Sequence, residues 1–157
     1  MSLEVNNDLG YEYFEKISKL APKLGLSALG VTNAEPFLET RIEIERRKEK
    51  ELHGGMQFTF RNPERSTTPK MIMKDAKSLI VGALRTPAPR LETVSNEALR
   101  IAAYARKDYY SVLREALTEI SEILKKDGWK AQVVADENSL VDRAAAIRAG
   151  IGWHGKN

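Results

Sequence analysis

A chain of 157 residues with 42% hydrophobic side chains and no long low-complexity run can bury a core of ordinary size, so a single domain over residues 1–157 is expected. It has no cysteine, which excludes disulfides, thiolate nucleophiles, zinc-thiolate sites and cysteine-held iron-sulfur clusters from these residues. The net charge of +3 reads as a mixed surface, and favours a phosphate-bearing partner such as RNA only where Arg and Lys gather at a site.

The amino terminus, Met1 to Asp8, has no basic segment leading into an apolar run, and no stretch approaches membrane-spanning length. A cytoplasmic protein without membrane attachment is the expectation. Tyr11, Phe14, Ile17, Leu20 and Leu24 recur at near-helical spacing, with Gly25 placed to end the helix and Pro22 able to end it earlier. Leu26 to Thr32 is a short apolar run of strand type. Glu35-Pro36 opens a charged helix through Leu52, in which Glu43, Glu45, Glu49 and Glu51 interleave with Arg46, Arg47, Lys48 and Lys50. Such a face pairs with itself in solvent and is not a nucleic-acid surface. Pro63, Pro69 and Ser66-Thr67-Thr68 predict irregular chain before a short helical turn at Met71 to Met73.

Lys77 to Leu84 is a continuous apolar run that suits a strand covered on both faces. Thr86 to Arg90, with Pro87 and Pro89, must leave the sheet and is a candidate pocket rim. Helical pattern returns at Asn96 to Ala105 and more strongly after Asp108. There Val112, Leu113, Ala116, Leu117, Ile120, Ile123 and Leu124 form one stripe, Asp108 is the N-cap, and Lys125-Lys126 suit the carboxyl end. Trp129 to Val134 reads as a strand after the Asp127-Gly128 turn, and Leu140 to Ala149 as a helix closed by Gly150. The expected fold class is α/β (α+β), a small mixed sheet flanked by helices.

Chemistry concentrates near the carboxyl end of the chain. Asp136 ends the last strand, where open α/β sheets present site residues, and a carboxyl walled in by apolar surface can act as a general acid; an Asx turn or helix cap is the other reading. Arg143, in the first turns of the following helix, suits a phosphate or a substrate hydroxyl, or else pairs with a carboxylate, and Asp142 suits the helix start. Tyr104, Arg106, Asp108, Tyr109 and Tyr110 join aromatic faces to positive charge, either to stack on a flat ligand or simply to fill an interhelical corner. Gly150 to Gly155 satisfies G-x-G-x-x-G, but a helix precedes it where a dinucleotide fingerprint needs a strand. Its glycines let the backbone pass close to a bulky ligand, with Trp153 as a wall and Lys156 reaching an anionic or amide group; His154 belongs to no metal-ligand spacing.

Asp136, Asp142-Arg143 and Ala149-Gly-Ile-Gly-Trp-His-Gly-Lys-Asn157 together resemble the motif of epoxyqueuosine reductases. His53-Gly54-Gly55-Met56, Asn62-Pro63-Glu64-Arg65 and Ala103 to Tyr109 resemble three further segments of that family, in order along the whole chain. The resemblance implies a cobalamin-binding catalytic part of an enzyme that reduces epoxyqueuosine in tRNA to queuosine, with Asp136 as proton donor and Arg143 on the substrate. Tyr104, Arg106, Asp108, Gly152, Trp153, Lys156 and Asn157 would contact the cofactor. It further implies two iron-sulfur clusters and an electron-donor protein that belong to a part following Asn157, so this segment alone is expected to lack reductase activity. Ser139 stands where the family has proline, Gly55 where it has glutamate, Tyr110 where it has histidine, and Leu84-Arg85-Thr86 replaces an asparagine-containing strand end. These departures keep open a non-catalytic corrinoid-binding or RNA-binding module of the same fold.

Overall fold

Two strands organise the molecule: β1 (Ala28–Asn33) pairs antiparallel with β2 (Ser78–Ala83), setting Leu29 opposite Gly82 and Gly30 opposite Val81. The structure, a computed structural model, describes residues 7–86, 102–135 and 139–155. Side chains alternate along a strand, so the sheet divides its apolar residues between two faces. Leu29 and Ile80 pack against Ile17, Ala21, Leu26, Ala116 and Ile120, contributed mainly by α1 (Asn7–Ser18), the turns after it, and α4 (Tyr109–Lys126). Leu79 and Val81 pack against Phe37, Ile44, Val141 and Ala145, from α2 (Leu38–Glu49), α5 (Asp142–Arg148) and the residues leading into them. Helices thus cover both faces of a small sheet, and the expected fold class holds.

Most elements form for the local reasons their residues supply. In α1 the turn ends at Ser18 because Pro22 lacks the N–H that would bond the Ser18 carbonyl, and Gly25, at φ +80°, reverses the chain into β1. Along α2, Arg46 bonds Glu43 at 2.7 and 2.8 Å and Arg47 bonds it at 2.7 Å, holding the Glu43 carboxyl down at about 2. The charged run therefore pairs with itself, as its sequence predicts. At α4 the Asp108 carboxylate accepts from the Ser111 amide at 3.0 Å and from its hydroxyl at 2.5 Å, and the apolar stripe faces the sheet.

Two expectations are corrected, and a third can be compared only at its last residues. Pro63–Thr67 forms a short helix, α3, where irregular chain was predicted; Asn62 caps it by accepting from the Arg65 amide at 3.0 Å, and Pro63 occupies the first turn, where its missing N–H is harmless. The strand expected at 129–134 is irregular chain with no ladder partner among the described residues, so the described sheet is two-stranded and antiparallel. The carbonyl of Ala135 is bonded by a side chain, Arg114, and not by a neighbouring strand. The helix expected at Asn96 to Ala105 lies outside the described residues through Ile101, and Ala103–Arg106 is a 3-10 turn. Pro87 to Arg90 of the expected loop also lie outside them. Among the described residues no helix is long and apolar enough to cross a membrane.

Candidate functional site

The site is built on the two ends of α5. At its start the Val141 amide donates to the Ser66 carbonyl of α3 at 3.1 Å, while Val141 and Ala145 bury themselves against β2. Ser66 is itself buried, and its hydroxyl donates into the carbonyl group set of Thr59, Asn62 and Pro63, at 3.1 to 3.2 Å. At the far end Arg148 Nη2 donates to the Asn33 carbonyl at 3.0 Å, and its guanidinium lies 3.4 Å from the Phe37 ring centre. Desolvation in this position lowers the Arg148 pKa. The helix then closes with the Gly150 amide on the Ile147 carbonyl and the Ile151 amide on the Ala146 carbonyl, both at 3.0 Å, with Gly150 at φ +74°. This crossed pair is a Schellman closure, which accounts for the first glycine of the G-x-G-x-x-G pattern without any dinucleotide.

Beyond the closure the chain curls back over α5. Arg143, Ala146, Ile147, Gly152, Trp153, His154 and Gly155 line an open cavity of about 210 Å³. Trp153 is 87% exposed, an unusual placement for the largest apolar side chain and one that leaves a ring face free to be covered. A Cβ on Gly152 would meet nothing within 4 Å, so the backbone there is open to a ligand. Of the expected site residues, the fold brings Arg143, Gly152 and Trp153 together at this cavity.

Tyr104, Arg106 and Asp108 do not line it. They occupy the turn before α4, Tyr104 with 62% of its surface exposed. Both Asp108 oxygens are engaged by Ser111, whose hydroxyl and then amide hold the carboxyl below its usual range, so what Asp108 does in the fold is cap α4. Asp136, Lys156 and Asn157 lie outside the described residues. The chain on either side of residues 136–138 is described: Ala135 is buried, with its carbonyl held by Arg114 Nη2 at 2.9 Å, and Ser139 is buried. Sequence reasoning missed Arg114, Arg148 and Gly30. Arg114 and Arg148 carry no local signal. An isolated glycine inside a strand does signal a close approach, though not of what.

No protein-family model matches the chain. It is 34% identical to the epoxyqueuosine reductase of Listeria monocytogenes over 152 residues, 91% of this chain and 39% of that protein. It is 32% identical to that of Bacillus subtilis over 158 residues, 94% of this chain and 39% of that protein. The chain is related to the epoxyqueuosine reductases. The fold agrees: the epoxyqueuosine reductase of Streptococcus thermophilus superposes with a TM-score of 0.79 at 28% identity, over 91% of this chain and 40% of that one. An epoxyqueuosine reductase solved with an epoxyqueuosine-modified tRNA-Tyr stem loop superposes at 0.74, with 28% identity over 91% of this chain and 39% of that one. The Bacillus subtilis enzyme, solved with its catalytic aspartate loop swung out of the active site, superposes at 0.71, with 28% identity and the same coverage. The chain spans about two-fifths of the length of the relatives it matches.

Proposed function

We propose that this chain forms the part of an epoxyqueuosine reductase that holds cobalamin and presents Asp136 as proton donor while epoxyqueuosine in tRNA is reduced to queuosine. The observation that carries the reading is the Arg143 and Trp153 cavity alongside α5, in a chain whose sequence and fold both match reductases. A corrinoid needs a flat apolar wall, close approach of backbone and donors for its amides. Trp153 supplies the wall, Gly152 the open backbone, and Lys156, three residues on, the donor. About 210 Å³ accommodates an edge of such a group and not its whole plane, so these residues form one side of its site. Cobalamin, when bound, supplies the electrons that open the epoxide.

The protein's own groups then hold and protonate. Loss of the epoxide oxygen as water breaks two carbon–oxygen bonds and takes up two electrons and two protons; charge develops on the departing oxygen, and the Asp136 carboxyl would deliver one of those protons as general acid, the other coming from solvent. Arg143 grips a hydroxyl or phosphate of the substrate, its fork matching two acceptors at once. Trp153 excludes water from the reacting face. Tyr104, Arg106, Lys156 and Asn157 extend the cofactor contact from the flanking turns. The relative solved with its catalytic aspartate loop displaced, and the one solved with a tRNA stem loop, support the roles given to Asp136 and to tRNA. Iron-sulfur clusters, for which these residues offer no thiolate, and an electron-donor protein behind them belong to the rest of the reductase. A tRNA substrate supports a cytoplasmic location.

Titration with hydroxocobalamin tests the reading. The chain should shift the corrinoid absorption spectrum saturably, and Trp153→Ala or Lys156→Met should weaken binding by about tenfold, the scale of one lost stacking or charged contact. No spectral change with the folded chain would overturn the cofactor assignment.

A further inference from the structure

At Gly30, β1 leaves α5 no room for a side chain. A Cβ there would lie 2.5 Å from the Ala149 carbonyl oxygen, 2.7 Å from Ile151 Cγ2 and 3.1 Å from Ala149 Cβ. The first of these is backbone and cannot swing aside. Gly30 is buried and is not among the positive-φ glycines, so the position needs glycine for space and not for conformation. Gly82, on the other face of the sheet, differs in kind. Its Cβ would meet side-chain atoms only, Leu117 Cδ2 at 3.1 Å and the Leu26 methyls at 3.4 Å, which can yield.

Ile151 is consequently held from two sides, its amide by the Ala146 carbonyl and its side chain by the β1 backbone at Gly30. Trp153 follows two residues later, on the cavity wall. The start of α5 is fixed separately through Val141 and Ser66. Any displacement at Gly30 must then be taken up beyond the carboxyl end of α5, in the stretch whose Gly152 to Gly155 line the cavity.

We propose that Gly30 and Ile151 are positioning residues: together they form the seat that fixes the Trp153 loop in its ligand-holding arrangement. The proposal rests on the reading that Trp153 walls the corrinoid. It predicts that the loop's order, and through it affinity, depends on a contact with β1 made by residues that do not line the cavity.

The test uses the chain with Trp129→Phe, so that Trp153 is the sole tryptophan, excited at a wavelength where the tyrosines do not absorb. Time-resolved anisotropy reports its nanosecond mobility, hydroxocobalamin titration reports affinity, and circular dichroism reports folding. Gly30→Ala and Ile151→Ala should each increase Trp153 mobility and weaken hydroxocobalamin binding by about tenfold. Ile151→Val keeps the methyl that rests on Gly30 and should behave as the parent. Gly82→Ala should lower the melting temperature while leaving mobility and affinity unchanged. If Gly30→Ala does not fold, Ile151→Ala decides. A folded Ile151→Ala variant with parental Trp153 mobility overturns the proposal. Should the parent chain fail to bind hydroxocobalamin, the cofactor reading falls, and anisotropy alone still decides the seat.

Discussion

Arg114 Nη2 donates to the carbonyl oxygen of Ala135 at 2.9 Å, joining the polar side of α4 to the last described residue before Asp136. Ala135 is buried, so its carbonyl has little access to water and depends on this donor. Six residues earlier, at the amino-terminal cap of the same helix, stands Asp108, whose carboxyl is held down chiefly by Ser111 and also by the charge of Arg114. The turn containing Tyr104 and Arg106 therefore connects to the approach to Asp136 through helix α4.

Arg114→Met keeps most of the aliphatic stem and removes the donor. Stability in urea should fall by about 1–2 kcal/mol, and amide exchange at Val133 to Ala135 should accelerate, because a buried carbonyl loses a charged partner. Arg114→Lys should recover part of both effects. Unchanged exchange in the Met variant would mean that the bond holds nothing in place.

For Asp136 the expected signature is chemistry lost without stability. In a chimera carrying this chain in place of the matching part of the Bacillus subtilis reductase, Asp136→Asn should reduce turnover of epoxyqueuosine-containing tRNA by about 100-fold or more, the scale for loss of a general acid. Melting temperature and hydroxocobalamin affinity should stay near the parent's. A variant that melts far lower yet turns over normally per folded molecule would make Asp136 structural.

The Tyr13 hydroxyl donates to Asp127 Oδ2 at 2.7 Å, clamping α1 to the end of α4, with Lys16 Nζ at 3.4 Å. The bond from Tyr13, then the Lys16 charge, lowers the Asp127 carboxyl below its ordinary 3.8. A lowered carboxylate stabilises the fold above that ordinary value, and the contribution disappears as pH falls through the lowered one. Burial first, and the bond to Asp127 second, push the Tyr13 phenol up to about 12, so its contribution is present below 10.0 and lost as pH rises through about 12. Tyr13→Phe should thus melt below the parent at neutral pH, with a gap that narrows as the pH drops below 3.8. A gap constant across that acid range would show that the carboxylate takes no part.

Ser139 is buried, and its hydroxyl finds no partner among the described residues. Ser139→Ala removes an unsatisfied polar group at nearly constant shape, and should leave stability unchanged or raise it by about 1 kcal/mol. A clear drop in melting temperature would reveal a bond to the hydroxyl in solution.

Local physics was legible in the residues themselves. The seven-residue stripe of α4 with its Asp108 cap, the stop at Gly150, the two strands and the self-paired charges of α2 follow from spacing and capping that act within a turn or two. The α3 helix was legible as well, in Asn62 followed by Pro63, but the prolines and hydroxyl residues around it pointed to irregular chain. The reductase motif likewise stands in the linear order of Asp142-Arg143 and the glycine-rich stretch after α5. Only the tertiary structure decided that β1 and β2 run antiparallel, that 129–134 stays outside their ladder, and that Arg114 reaches Ala135. It alone also separated Arg143 and Trp153, which share a cavity, from Tyr104 and Asp108, which do not line it. The reason is range: periodicity and capping are set by neighbours a few positions away, whereas the seat of Ile151 on Gly30 and the grip of Arg148 on Asn33 exist only once distant segments pack without gaps.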